Sequence, residues 1–199
     1  MESLFYEGRY IVLREILPSD ASLYFSWLGV GYLEAYRPGL RKLLGSLHET
    51  RLFLSWRKEF NPPLEIELWV YSKKTFSPEG VIGILGIDQY HRKGELVAIF
   101  RTLSLRERFE AFLILLCLGF NFLHLEKLFF LVQEKDTRFL KFLSRIGLQP
   151  EAYLPREGKD LHGERYGVYR FALFPEILSS SLYRKITQLV KEEPRFCRS

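Results

Sequence analysis

The chain has 199 residues and a formal net charge of +5. That length suits one domain, or one domain with an appendage, and 47% apolar with 16% aromatic residues excludes a disordered polymer. The two cysteines, Cys117 and Cys197, are too few for a secreted disulfide framework and lack metal-ligand spacing.

Taken in chain order, the stretch from Arg9 to Ile16 alternates as a strand, and Pro18, Ser19 and Asp20 then give a start signal for an amphipathic helix. Gly29 and Gly31 end it. A second helix carries Leu47, Leu52, Phe53, Trp56 and Phe60 on one side and is stopped at Asn61 to Pro63. The segment between the two helices reads as irregular and suited to facing a substrate.

From Leu64 the texture changes to three strands, LEIELWVYSKK, GVIGILGIDQY and GELVAIFRT, joined by short turn-forming loops. Such a run implies an antiparallel meander. Phe109, Phe112, Leu113, Leu116, Phe120 and Leu123 then recur at helical spacing. This is the strongest apolar run in the chain, yet Arg108 and Glu110 on one side and Asn121, His124, Glu126 and Lys127 on the other close it before a spanning length of about 20 residues. A core helix is expected, with Cys117 as one of its small packing residues, and not a membrane segment.

KLFFLVQ reads as a buried strand, and the next helix has Asp136 as its cap and Gly147 as its stop. Extended patterns follow at LQPEAYLP and RYGVYRFALF, separated by a loop. The tail after Pro175 reads as a last amphipathic helix, a candidate surface for a protein partner. The fold class is therefore α+β, a mixed α/β sheet flanked by helices.

No basic segment followed by an uninterrupted apolar stretch opens the chain, so the expected location is the cytoplasm. Lysines and arginines are scattered, which fits a solvated surface. A pI near 9.2 also leaves nucleic acid, a phosphorylated cofactor or an acidic surface open as partners. His48, His91, His124 and His162 are too dispersed for a metal site.

The order of elements, with LREILPSDASLYFSWL near the front, VIGILGI in the meander, LGFNFLHLEKLFFLV after it and FLSRIGLQPEAYL near the end, resembles the GNAT acetyltransferase superfamily. It is most similar to the branch that acetylates ribosomal-protein N-termini. The resemblance implies a mostly antiparallel GNAT sheet over residues 1–174, with 175–199 as a helical extension. It also implies transfer of acetyl from acetyl-CoA to a primary amine, a small molecule or a protein N-terminus.

The strand ending in Phe100 and Arg101 would hold the pantetheine arm, and the helix start after it would cradle the pyrophosphate. Helix N-termini do this because their first N–H groups lack internal partners. Here Ser104, Arg106 and Arg108 stand where the family has loop glycines. Either the arginines replace the backbone cradle by forking onto phosphate oxygens, or the site has lost CoA and the chain is a non-catalytic protein- or nucleic-acid-binding module. Asp136 takes the place of a cofactor-contacting Asn, and Phe171 that of a proton-donating Tyr. Tyr169, two residues earlier and on the same strand face, is the substitute acid. Glu95 is the carboxylate nominated as base or amine-orienting group.

Overall fold

The computed structural model describes residues 4–30, 33, 37, 39–60, 64–159 and 163–190. Gly31, the Asn61–Pro63 stop, His162 and Cys197 lie outside them. The described residues include eight strands: β1 (Leu4–Glu7), β2 (Ile11–Glu15), β3 (Ile66–Ser72), β4 (Pro78–Asp88), β5 (Lys93–Phe100), β6 (Lys127–Gln133), β7 (Ala152–Lys159) and β8 (Arg165–Leu173). They form one sheet in the order β1-β2-β3-β4-β5-β6-β8-β7. Every neighbouring pair is antiparallel except β5 with β6.

On one face lie α1 (Ala21–Gly29), α2 (Leu40–Leu43) and α3 (Leu47–Trp56). Tyr24, Trp27 and Leu28 of α1 and Leu54 of α3 pack there on Trp69 and Val81 of the sheet. The other face carries α4 (Leu105–Cys117), α5 (Thr137–Arg145) and α6 (Ser181–Val190). Ala111, Ile114 and Leu115 of α4 pack there on Ile11, Leu13, Leu68, Ile82 and Leu96. The core run expected of Phe109 to Leu123 thus holds, ending in a π-helical turn at Leu118–Phe122. Among the described residues no helix is long and apolar enough to cross a membrane.

Start and stop signals act as the sequence chemistry requires. Ser46 accepts from Glu49 N at 3.2 Å and opens α3, and Asp136 accepts from Phe139 N at 3.1 Å and opens α5. Gly147, at φ +86, ends α5 in the left-handed region.

Three features depart from expectation. β1 and α2 have four residues each, too few for a period to show. β7 continues to Lys159 through residues expected to form a loop. It lies at the sheet edge, where polar side chains are tolerated, and a register shift between Leu154 and Gly158 hides its alternation. Tyr183, Ile186 and Val190 of α6 pack against Leu113 of α4. Cys117 is fully buried in α4, as expected.

A buried carboxylate ties α4 to the first hairpin. Glu110 is 2% exposed and accepts from the backbone N–H groups of Arg9, Tyr10 and Ile11 at 2.6, 2.9 and 3.1 Å. Gly8 permits this approach, since a Cβ there would stand 2.5 Å from Glu110 Oε1. Glu110→Gln replaces one of the two acceptor oxygens by a donor. It should lower unfolding free energy by roughly 1–3 kcal/mol, measured by urea denaturation.

Candidate active site

The parallel pairing of β5 and β6 covers only Lys93–Lys127, Gly94–Leu128 and Glu95–Phe129. Both strands continue, β5 to Phe100 and β6 to Gln133, but β6 follows β8. Among the described residues no strand pairs with the edge of β5 beyond Glu95, and Ala98 is exposed although its strand lies mid-sheet. A slot therefore opens between the strands. Next to its base the β4–β5 register shifts between Leu85 and Asp88, where Gly86 takes φ +54. Such a bulge adds a residue, increases local twist and re-aims neighbouring side chains.

Glu95 sits at the fork, in the last pair before the strands part. Burial pushes its carboxyl above the usual range, while the Arg37 guanidinium pulls the other way. By register its side chain shares the α1–α3 face with Glu67, Val97 and Trp69.

On that face lies an ion cluster. Glu67, whose side chain is fully buried, meets Arg37 Nε at 2.8 Å and Arg57 Nη1 at 2.5 Å. Tyr24 Oη donates to it at 3.3 Å. Glu65 takes Arg37 Nη2 at 2.7 Å and also pairs with Arg57. Both guanidinium groups lie over the Phe53 ring, at 6.0 and 5.4 Å. Burial works against the charge of Arg37, but Glu67 and its neighbours outweigh it and keep the guanidinium firmly protonated. Gly83 makes room, because a Cβ there would meet Ile66 O at 2.4 Å and Glu67 Cγ at 3.1 Å. A cavity of about 440 Å³ opens beside the cluster, walled by Glu15, Leu54, Arg57, Lys58, Glu65 and Glu67; Glu95 is not part of its wall.

The start of α4 is closed by its own side chains. Glu107, 3% exposed, accepts from Ser104 N at 2.7 Å, Ser104 Oγ at 2.6 Å and Ser72 Oγ at 2.5 Å. Burial opposes the charge of Glu107, yet these hydroxyls outweigh it and hold its carboxyl below the usual range. A second carboxylate, Glu79, accepts from Thr102 Oγ1 at 2.6 Å, and that bond leads the interactions keeping it ionised. Arg101 N is bound to Glu79 O at 2.8 Å.

The arginines nominated for phosphate are placed differently from one another. Arg101 lies over Trp27 at 5.7 Å. Arg108 donates to Leu103 O at 2.9 Å and lies over Phe100 at 5.7 Å. Arg106 is exposed. The edge of β5 past Glu95 thus offers strand backbone, and the start of α4 holds an ionised carboxylate.

Of the other nominated residues, Phe100 packs against the core beneath Arg108, and Asp136 is the exposed cap of α5. Tyr169 pairs with Val132 one strand beyond β6, so register puts it on the α4–α6 face, opposite Glu95. Its ring lies 4.9 Å from Tyr153 and packs with Val132, Leu143 and Phe171. Glu95 and Tyr169 are thus not brought together. Sequence reasoning missed the cluster of Arg37, Arg57, Glu65 and Glu67. One signal was present: two carboxylates at i and i+2 of the apolar run LEIELWV must share one face of a strand and demand partners. Among the described residues no group of three or more His, Cys, Asp or Glu could hold a metal ion.

No protein-family model and no curated protein sequence matches the chain. Solved structures do. A spermidine/spermine N-acetyltransferase from Vibrio cholerae, solved with manganese ions, superposes with TM-score 0.69 at 16% identity, covering 86% of this chain and 97% of that one. A proposed acetyltransferase from T. thermophilus gives TM-score 0.65 at 17% identity, covering 94% and 97%. The chain has the mixed, mostly antiparallel α+β fold of the GNAT acetyltransferases.

Proposed function

We propose that the chain is an N-acetyltransferase acting on a small primary amine, with Glu95 at the β5–β6 fork as the residue that receives the amine. The observation that carries this reading is a half-buried carboxylate at the base of a slot that offers strand backbone to an extended ligand. Likeness to a spermidine N-acetyltransferase supports a small amine over a protein N-terminus as acceptor.

An acetyl thioester such as acetyl-CoA supplies the activated acyl group. The free edge of β5 holds its arm as an added strand, through backbone N–H and C=O groups. The Glu95 carboxylate binds the acceptor as an ammonium ion and takes a proton from it, freeing the nitrogen lone pair. Attack at the thioester carbonyl then forms the C–N bond as the C–S bond breaks; the nitrogen gives up its second proton to water and the departing thiolate takes one. Tyr169 lies across the sheet, so this proposal assigns that last proton to solvent.

Incubating the purified chain with acetyl-CoA and a panel of primary amines, and following thiol release, is expected to show amine-dependent turnover. A second reading is favoured by the closed start of α4: a GNAT fold without acyl transfer, binding protein or nucleic acid through its basic surface. Melting the chain with millimolar acetyl-CoA separates the two, because a ligand of the native state raises Tm by mass action. No rise and no thiol release would sink the transferase.

A further inference from the structure

We propose that this chain recognises its acyl donor by the pantetheine arm and not by the nucleotide diphosphate. This rests on the acetyltransferase reading above. The start of α4, which the fold would offer to a pyrophosphate, already holds a carboxylate of its own. The Glu107 carboxylate takes the Ser104 N–H and hydroxyl, and the Ser72 hydroxyl completes the set. A phosphate seated there would lie against an ionised, buried carboxylate. Such like charges repel strongly where water is excluded.

The loop ahead of the helix is committed in the same way. Arg101 N is bound to Glu79 O, and the Thr102 hydroxyl to the Glu79 carboxylate. Nor do the arginines restore the site. The Arg101 guanidinium lies over Trp27, and that of Arg108 is held by Leu103 O over the Phe100 ring. Arg106 projects into solvent, where a single charge pair is worth little. The slot has none of these obstacles: the β5 edge past Glu95 is without a strand partner among the described residues, and Ala98 there is exposed. The recognised chemistry is therefore an acyl thioester on a pantetheine arm, whether that arm ends in free CoA or in a phosphate alone.

Isothermal titration of the full chain with acetyl-CoA, S-acetyl-phosphopantetheine and S-acetyl-pantetheine should give Kd values within about threefold of one another. 3′-Phosphoadenosine 5′-diphosphate, which carries the nucleotide diphosphate without the arm, should not compete with any of them. An affinity for acetyl-CoA more than about thirtyfold above that for S-acetyl-pantetheine, or competition by 3′-phosphoadenosine 5′-diphosphate, would overturn this inference and leave the acetyltransferase reading standing. Binding of none of the three thioesters would overturn both.

Discussion

Glu95→Gln is expected to lower kcat/KM for the amine by about 10²-fold while leaving affinity for the thioester within about twofold. Gln has the shape of Glu but cannot take a proton or balance an ammonium charge. The backbone of Glu95 is paired on both sides, to Leu85 and to Phe129, so the fork should keep its geometry. The pH profile makes the test specific. The ionised carboxylate is the working form, and burial raises its pKa. Activity of the unmodified chain should therefore fall on acidification at a higher pH than an ordinary carboxylate would give, and that limb should vanish in the variant. Arg37 opposes the rise, so Arg37→Met should move the limb to still higher pH. An unchanged rate and profile in Glu95→Gln would remove Glu95 from the reaction.

Element types were legible where a period had room to show. The meander, the long apolar helix and the capped helix at Asp136 all follow from alternation, helical spacing and punctuation in the sequence. β1 and α2 escaped because four residues fix no period, and β7 because an edge strand with a bulge looks like a loop. The site was legible only in part. Glu95 could be placed at the start of its strand, but the fork that gives it meaning depends on where the pairing of β5 and β6 stops. No local pattern states that. The loss of loop glycines was visible, yet its consequence was not. SLRER looked like three arginine or serine side chains facing phosphate, whereas the decisive residue is the glutamate between the arginines. Glu107 turns inward to Ser104 and Ser72, the latter 35 residues earlier in the chain. Ser104 and a Glu three residues later have capping-box spacing, and Glu107 does reach back to the Ser104 N–H, so part of the closure could have been read from spacing.

Glu67→Ala should cost roughly 3–5 kcal/mol of unfolding free energy, the usual effect of removing one partner from a buried ion pair. Its side chain is fully buried and serves both Arg37 and Arg57. Removing it takes the buried carboxylate away from both guanidinium groups, and opens a void over Gly83 where the Glu67 stem now lies. Glu65→Ala should cost less, since that carboxylate is 19% exposed and water can replace part of what it supplies. Urea unfolding followed by tryptophan fluorescence suits the measurement, because Trp27 and Trp69 pack edge to face at 5.2 Å in the same cluster. Equal costs for the two variants would show that burial does not set the energetics of this cluster. The comparison also bears on the reaction. Glu67 is held between two arginines and cannot serve an ammonium ion, whereas Glu95 has Arg37 only as a neighbouring charge. Glu67→Gln should therefore weaken the fold while keeping the acid limb of the rate, and Glu95→Gln should do the reverse.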